Sequence, residues 1–168
     1  LEQRMPPCLV PETHPLGQLQ GGTNMVVIEG DSVGQIVLRG AGAGEGPTAS
    51  AVMGDVMDLA RGLRLPVFGQ PAADLVAAPP AAVSAAAPWY LRMVLLDKPG
   101  ALAKIATVLG EAGISIDRMR QYSHDGANAP VLIVTHKASS DDIDHAMTRF
   151  AGTGVLVGQP VALRIEEV

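Results

Sequence analysis

The stretch Leu95 to Ile116 constrains the fold more than any other part of the chain. An apolar run, Tyr90 to Leu96, leads into it and reads as a strand. Asp97-Lys98-Pro99-Gly100 then breaks that strand. Pro99 fixes its own φ and keeps Lys98 extended, so a helix starts only after them. Leu102, Ile105, Ala106 and Leu109 fall on one helical face. Gly113 suits the left-handed residue that ends a helix. Ile114-Ser115-Ile116-Asp117 alternates with period two and opens a second strand. Strand, glycine loop, helix and strand thus follow in quick succession. Such a loop sets the N–H groups of a helix start beside a strand end, which suits a small anion such as a carboxylate.

The rest of the C-terminal part completes a pattern. The second strand runs to about Tyr122, and His124 to Asn128 form a loop. Val131 to His136 read as a third strand. Ser139 is placed to cap a helix that carries Asp141 and Asp142 in its first turn, where they favour the dipole. Ile143, Ala146, Met147 and Phe150 form its apolar face, and Gly152 or Gly154 ends it. Val155 to Val157 and Val161 to Ile165 supply a last strand, bent near Gly158 and Pro160. The order βαββαβ predicts an α+β, ferredoxin-like domain, with two helices over one face of a four-stranded antiparallel sheet.

Upstream, residues 1–11 read as extended and punctuated by Pro6, Pro7 and Pro11. His14-Pro15-Leu16 is a turn. Thr23 to Glu29 and Val33 to Arg39 predict a hairpin across Gly30-Asp31-Ser32. A glycine-rich run, Gly40 to Gly46, leads to a helix with Pro47 near its first turn. Ala49, Val52, Met53, Val56, Leu59 and Ala60 form one face of that helix, with Asp55, Asp58 and Arg61 off it. Leu63 to Ala87 is rich in proline and alanine without period, as in a linker. The predicted organisation is a partial α/β segment at 1–62, a linker at 63–87 and the ferredoxin-like domain at 88–168.

Composition narrows the function classes. A chain of 168 residues holds one ordinary domain or two small ones. With 48% hydrophobic but only 3% aromatic residues, its core is built from Ala, Val, Leu and Ile. A net charge of −5 with scattered basic residues argues against nucleic acid. Cys8 is the single cysteine, so no intrachain disulfide forms and a reducing, cytoplasmic setting is expected. No apolar run approaches the ~20 residues of a membrane span. The start, Leu1-Glu2-Gln3-Arg4, resembles neither a signal peptide nor an initiator, so a longer parent chain is expected.

Chemistry-bearing motifs are few. Gly40 to Gly46 fails the dinucleotide spacing G-x-G-x-x-G because Glu45 stands at the required glycine. The four histidines, His14, His124, His136 and His145, lack paired metal-ligand spacing. Ser123-His124-Asp125 is contiguous, whereas a triad needs side chains that converge from separate places. Asp141, Asp142 and Asp144 read as a solvated helix start. Cys8 has no activating base nearby in sequence and reads as an inert thiol. No catalytic residue and no metal ligand is assigned.

Two stretches carry family resemblances. Asp-Lys-Pro-Gly-Ala-Leu followed by Gly-Ile-Ser-Ile, within 89–168, resembles the ACT domain, an amino-acid-sensing module. The resemblance implies an allosteric site at Asp97, Pro99, Gly100, Ala101 and Leu102, with Ser115 added from a neighbouring subunit in a homodimer. Asp97 would meet the ligand's polar groups; its other possible role is to cap the helix. Gly100 and Ala101 would offer backbone N–H groups to the carboxylate. Some ACT domains bind nothing and only join subunits, and that alternative stays open. The second stretch, over about Met5 to Gly62, carries Pro11-x-x-His-Pro-Leu, a strand near Asn24, Gly-Ala-Gly-Ala-Gly-x-x-Pro-Thr-Ala-Ser-Ala-Val and Asp55. It resembles the end of the catalytic region of homoserine dehydrogenases, many of which carry a C-terminal ACT domain. That family interconverts homoserine and aspartate semialdehyde with NAD(P). The resemblance implies cofactor contacts at Gly40, Gly42 and Gly44, support from Thr48, an absent N-terminal catalytic region, and threonine as effector. The phosphate loop and proton-transfer lysine of that family have no match here, so the chain alone is expected to be inactive.

Overall fold

The computed structural model describes residues 2–64, 68–80, 82, 84–122 and 126–167. In chain order the elements are β1 (Cys8–Leu9), β2 (Thr23–Gly30), β3 (Gly34–Ala41), α1 (Glu45–Ala60), β4 (Trp89–Leu96), α2 (Ala101–Glu111), β5 (Ile116–Gln121), β6 (Asn128–Thr135), α3 (Ser140–Ala151) and β7 (Leu156–Ile165). Single 3-10 turns at Pro15–Gln18 and Ala72–Asp74 punctuate the connections. The chain divides into two compact units, residues 1–11 with 80–168, and residues 12–79.

The first unit is the α+β domain expected from the βαββαβ order. β4 alternates, so Trp89, Leu91, Met93 and Leu95 all point to the helix-covered face and are buried. α2 presents Ala101, Ile105, Val108 and Leu109 to that face, and α3 presents Ile143, Ala146 and Phe150. Val131, Ile133 and Val155 close the core. Phe150 and Trp89 are its aromatic side chains, and aliphatic side chains with Met93 fill the rest.

Local chemistry sets the ends of these helices. Gly100 is the N-cap of α2 at φ 83°, and Gly113 ends it at φ 72°. There the Ile114 N–H folds back to the Leu109 carbonyl at 2.9 Å and satisfies a last-turn acceptor. Ser139 caps α3: its Oγ accepts from the Asp142 N–H at 3.1 Å. The second strand starts later than the alternation suggested. Ile114 is buried and Ser115 is exposed ahead of β5, because the backbone is still leaving the helix there.

The sheet has five strands in the order β1-β7-β4-β6-β5. β4 pairs antiparallel with β6 and β7, and β5 with β6. The register of β4 against β7 shifts between Arg92 and Val94, opposite Gly158 at φ 73°, so the expected bend is a bulge. The fifth strand corrects the domain boundary. Residues 1–11, placed by sequence with the N-terminal segment, join this unit, because Cys8 and Leu9 pair in parallel with Arg164 and Ile165. The predicted linker is also shortened. Residues 80–87 belong to this unit, and Ala87 exchanges backbone hydrogen bonds of 3.1 and 2.9 Å with Ala138.

The second unit holds the hairpin and α1. β2 and β3 pair in full register from Thr23↔Ala41 to Gly30↔Gly34. None of this unit's described residues is buried. Val26 faces Leu38 and Ile28 faces Ile36 across the hairpin, all exposed, and α1 exposes Val52, Met53, Val56 and Leu59. A hairpin and one helix cannot cover both apolar faces.

Candidate functional site

The loop between β4 and α2 borders a cleft of about 210 Å³. Leu96, Asp97, Lys98, Gly100, Ala101 and Leu102 line one side of it, and Gln121 lines another. The loop is built by backbone bonds. The Asp97 N–H donates to the Ala127 carbonyl at 2.7 Å, and the Leu96 N–H donates to the Val155 carbonyl at 2.8 Å. Gly100 is left-handed, and a Cβ added there would meet open space. A side chain at 100 is therefore opposed by the backbone angle and not by crowding.

The sequence-derived residues separate on this geometry. Asp97, Gly100, Ala101 and Leu102 share the cleft; Pro99 and Ser115 do not line it. The N-cap position falls on Gly100, which has no side chain with which to cap α2. The Ala101 N–H, offered by sequence as a carboxylate donor, donates to the Lys98 carbonyl at 3.1 Å. Gln121 was missed. It closes β5 opposite Val131, a residue of the helix-covered face, so its side chain shares that face. Only the pairing register, which no local pattern carries, could have found it.

The turn from β3 to α1 gathers Gly40, Gly42, Gly44 and Thr48 in an exposed segment. Gly40 sits opposite Asn24 in the hairpin. The Gly42 N–H donates to the Gly22 carbonyl at 3.3 Å, and a Cβ on Gly42 would lie 1.9 Å from the Asn24 amide. Asn24 is exposed, so its amide would have to swing aside to admit a Cβ at 42. Gly44, at φ 126°, opens α1, and its carbonyl accepts from the Thr48 N–H at 3.1 Å. Thr48 therefore enters the first helical turn through its backbone. Just before the hairpin, His14 Nδ1 accepts from the Leu16 N–H at 3.2 Å, while His14 Nε2 is enclosed without a partner.

Among the described residues no group of three or more His, Cys, Asp or Glu could hold a metal ion. Ser123, His124 and Asp125 lie outside the described residues. No helix of the described residues is long and apolar enough to cross a membrane. Cys8 is exposed in β1.

Fold, glycine loop and cleft define the C-terminal unit as an ACT domain, and residues 89–152 match the family model of that description. Residues 1–57 match the model described as homoserine dehydrogenase. The homoserine dehydrogenase of Pseudomonas aeruginosa is 34% identical over 99% of this chain and 41% of its own length. That of Mycobacterium leprae is 33% identical over 98% of this chain and 39% of its own. A homoserine dehydrogenase structure from Thiobacillus denitrificans superposes with a TM-score of 0.79 at 30% identity, over 95% of this chain and 37% of that one. The chain spans about two fifths of the length of these relatives. It belongs to the homoserine dehydrogenase family and corresponds to the C-terminal region of such a protein, followed by its ACT domain.

Proposed function

We propose that this chain is the cofactor-closing and amino-acid-sensing end of an NAD(P)-dependent homoserine dehydrogenase. The parent reaction oxidises the C–OH of homoserine to the aldehyde of aspartate semialdehyde. Hydride passes to NAD(P)+ and a proton is released. The nicotinamide would supply the hydride acceptor. The exposed turn Gly40–Gly44 has the backbone donors suited to closing over that cofactor, although the Gly42 amide already serves the hairpin. Thr48 supports the turn from α1. No proton-transfer residue is assigned to this chain, which alone would be inactive. Cytoplasmic location accords with the single cysteine.

The observation that carries the regulatory reading is the small cleft at Asp97–Leu102, bordered by Gln121. Asp97 would accept from the effector's ammonium. Gly100, at a helix start and without a Cβ, would let its carboxylate approach. Threonine, the end product of the pathway in which such enzymes act, is the expected effector. A second copy completes the site. β5 is an edge strand, and antiparallel pairing of two β5 edges runs the start of one beside the end of the other. Ser115 of a second copy would then come to the Gln121 end of the cleft. Calorimetric titration of the chain with L-threonine tests this; saturable heat is the expected result. A second reading, a ligand-free ACT pair that only joins subunits, is favoured by the engaged Ala101 amide. Dimerisation without heat from any amino acid would establish it.

A further inference from the structure

Residues 1–57 match the catalytic family model, yet residues 1–11 lie in the regulatory unit. The unit of residues 12–79 is therefore bracketed in sequence by two stretches of the ACT unit. Both stretches are fastened in one cluster. The Glu2 carboxylate accepts from the Ala85 N–H at 3.1 Å, and the Arg164 guanidinium donates to the Ala85 carbonyl at 2.8 Å. Arg4 pairs with Glu2 and with the Ser140 hydroxyl. The Ser84 hydroxyl accepts from the Ser140 N–H at 3.3 Å. Beyond the cluster, Cys8 and Leu9 run parallel to the end of β7, and the Glu166 N–H donates to the Leu9 carbonyl at 2.9 Å.

β7 links this cluster to the amino-acid cleft. Its beginning is tied to the loop: the Val155 carbonyl accepts from Leu96, Leu156 pairs with Leu95, and Lys104 Nζ donates to the Thr153 carbonyl at 3.2 Å. Its end carries Arg164 and Ile165, the partners of β1. The bulge at Gly158 lies between. One strand thus has the candidate site at one end and the strap at the other.

We propose that residues 2–9 are a strap by which the regulatory sheet holds the catalytic segment, and that β7 relays the state of the Asp97 loop to it. The relay rests on the regulatory reading of that loop for its ligand, and its coupling is testable without one, since coupling between two places is reciprocal. The measurement is residue-resolved amide exchange on the whole chain, comparing wild type with Glu2→Ala/Arg4→Ala. The Glu166 amide is expected to exchange roughly tenfold faster, the Leu96 amide about threefold faster, and the Ile105 and Leu109 amides of α2 unchanged. Faster Glu166 exchange with Leu96 unmoved would overturn the relay, and unmoved Glu166 exchange would overturn the strap. Should α2 also lose protection, Ser140→Ala, which removes only the Arg4 acceptor, is read by the same criteria. With saturating L-threonine, the wild-type Glu166 rate should shift and the variant's should not. Threonine bound without that shift overturns the relay. No heat with threonine, but Leu96 still faster in the variant, defeats the effector reading and leaves the strap standing.

Discussion

Asp97 can be tested against its two proposed roles because they move different observables. As the ammonium acceptor, its loss should weaken threonine binding by about 1.5–3 kcal/mol, the scale of a hydrogen bond to a charged group. As a helix cap, its loss should lower stability by about 0.5–2 kcal/mol and leave affinity alone. The N-cap position of α2 itself falls on Gly100. Calorimetry and thermal unfolding on one Asp97→Ala sample decide it. Gly42 is different in kind: a Cβ there would displace the exposed Asn24 amide and no backbone. Gly42→Ala should turn the Asn24 amide aside while the hairpin stays paired, as it should with Asn24→Gly added. Exchange of the hairpin amides in the single and double variants is the check. Glu2 carries the acid sensitivity of the strap. The hydrogen bond from the Ala85 N–H holds its carboxyl below the usual carboxylate range against the opposing effect of desolvation, with lesser help from Arg4 and then Arg164. Its contribution is present above the unfolded carboxylate pKa and is lost as pH falls through the lowered folded value. Glu166 and Leu9 should therefore part on acidification, at a pH below that at which a free glutamate titrates.

At the scale of elements, the two edges of the five-stranded sheet differ. The β7 edge carries β1 at its end, a left-handed glycine and Pro160, which has no N–H to offer. Such devices discourage pairing. β5 holds the opposite edge with exposed Met119, Arg118 and Arg120, and among the described residues no strand lies beyond it. The Arg118 pair with Asp117, at 2.9 Å but exposed, adds little to stability. Dimerisation through β5 is the expected outcome, seen as a dimer by sedimentation at high concentration. A monomer there would remove the basis for sharing Ser115. The same scale explains α1. Its apolar stripe of Val52, Met53, Val56 and Leu59 is amphipathic by spacing, yet stays exposed within its own unit.

At the scale of the whole molecule, exposed α1 and hairpin faces fit a chain that spans about two fifths of its relatives. In any experimentally ordered form, residues 12–79 should pack against another copy or exchange strands with it. A crystal structure with this segment packed only within its own chain would contradict that. Homoserine oxidation by the purified chain should be undetectable in a cofactor-reduction assay, since no phosphate loop or proton-transfer lysine is recognised in it. Measurable turnover would refute the division of labour proposed here.

The sequence alone determined the features that depend on near neighbours. Pro99 and Gly100 fixed where α2 begins, Gly113 where it ends, and Ser139 where α3 starts, because caps and turns are decided within a few residues. The apolar faces of α2 and α3 were legible through Ile105, Leu109, Ile143, Ala146 and Phe150, since period says which side chains point together, but Ala106, read onto the α2 face, is exposed and Val108 is buried instead. The same local signals marked the Asp97 loop and the glycine turn. Only the tertiary structure decided the rest. Gln121 reaches the cleft through the β5–β6 register, Gly42 comes beside the Asn24 side chain across the hairpin, and Cys8–Leu9 join β7 from the far end of the chain. Each of these depends on which residues distant in sequence are brought side by side. A two-residue parallel strand carries no periodicity of its own, so nothing local announced it.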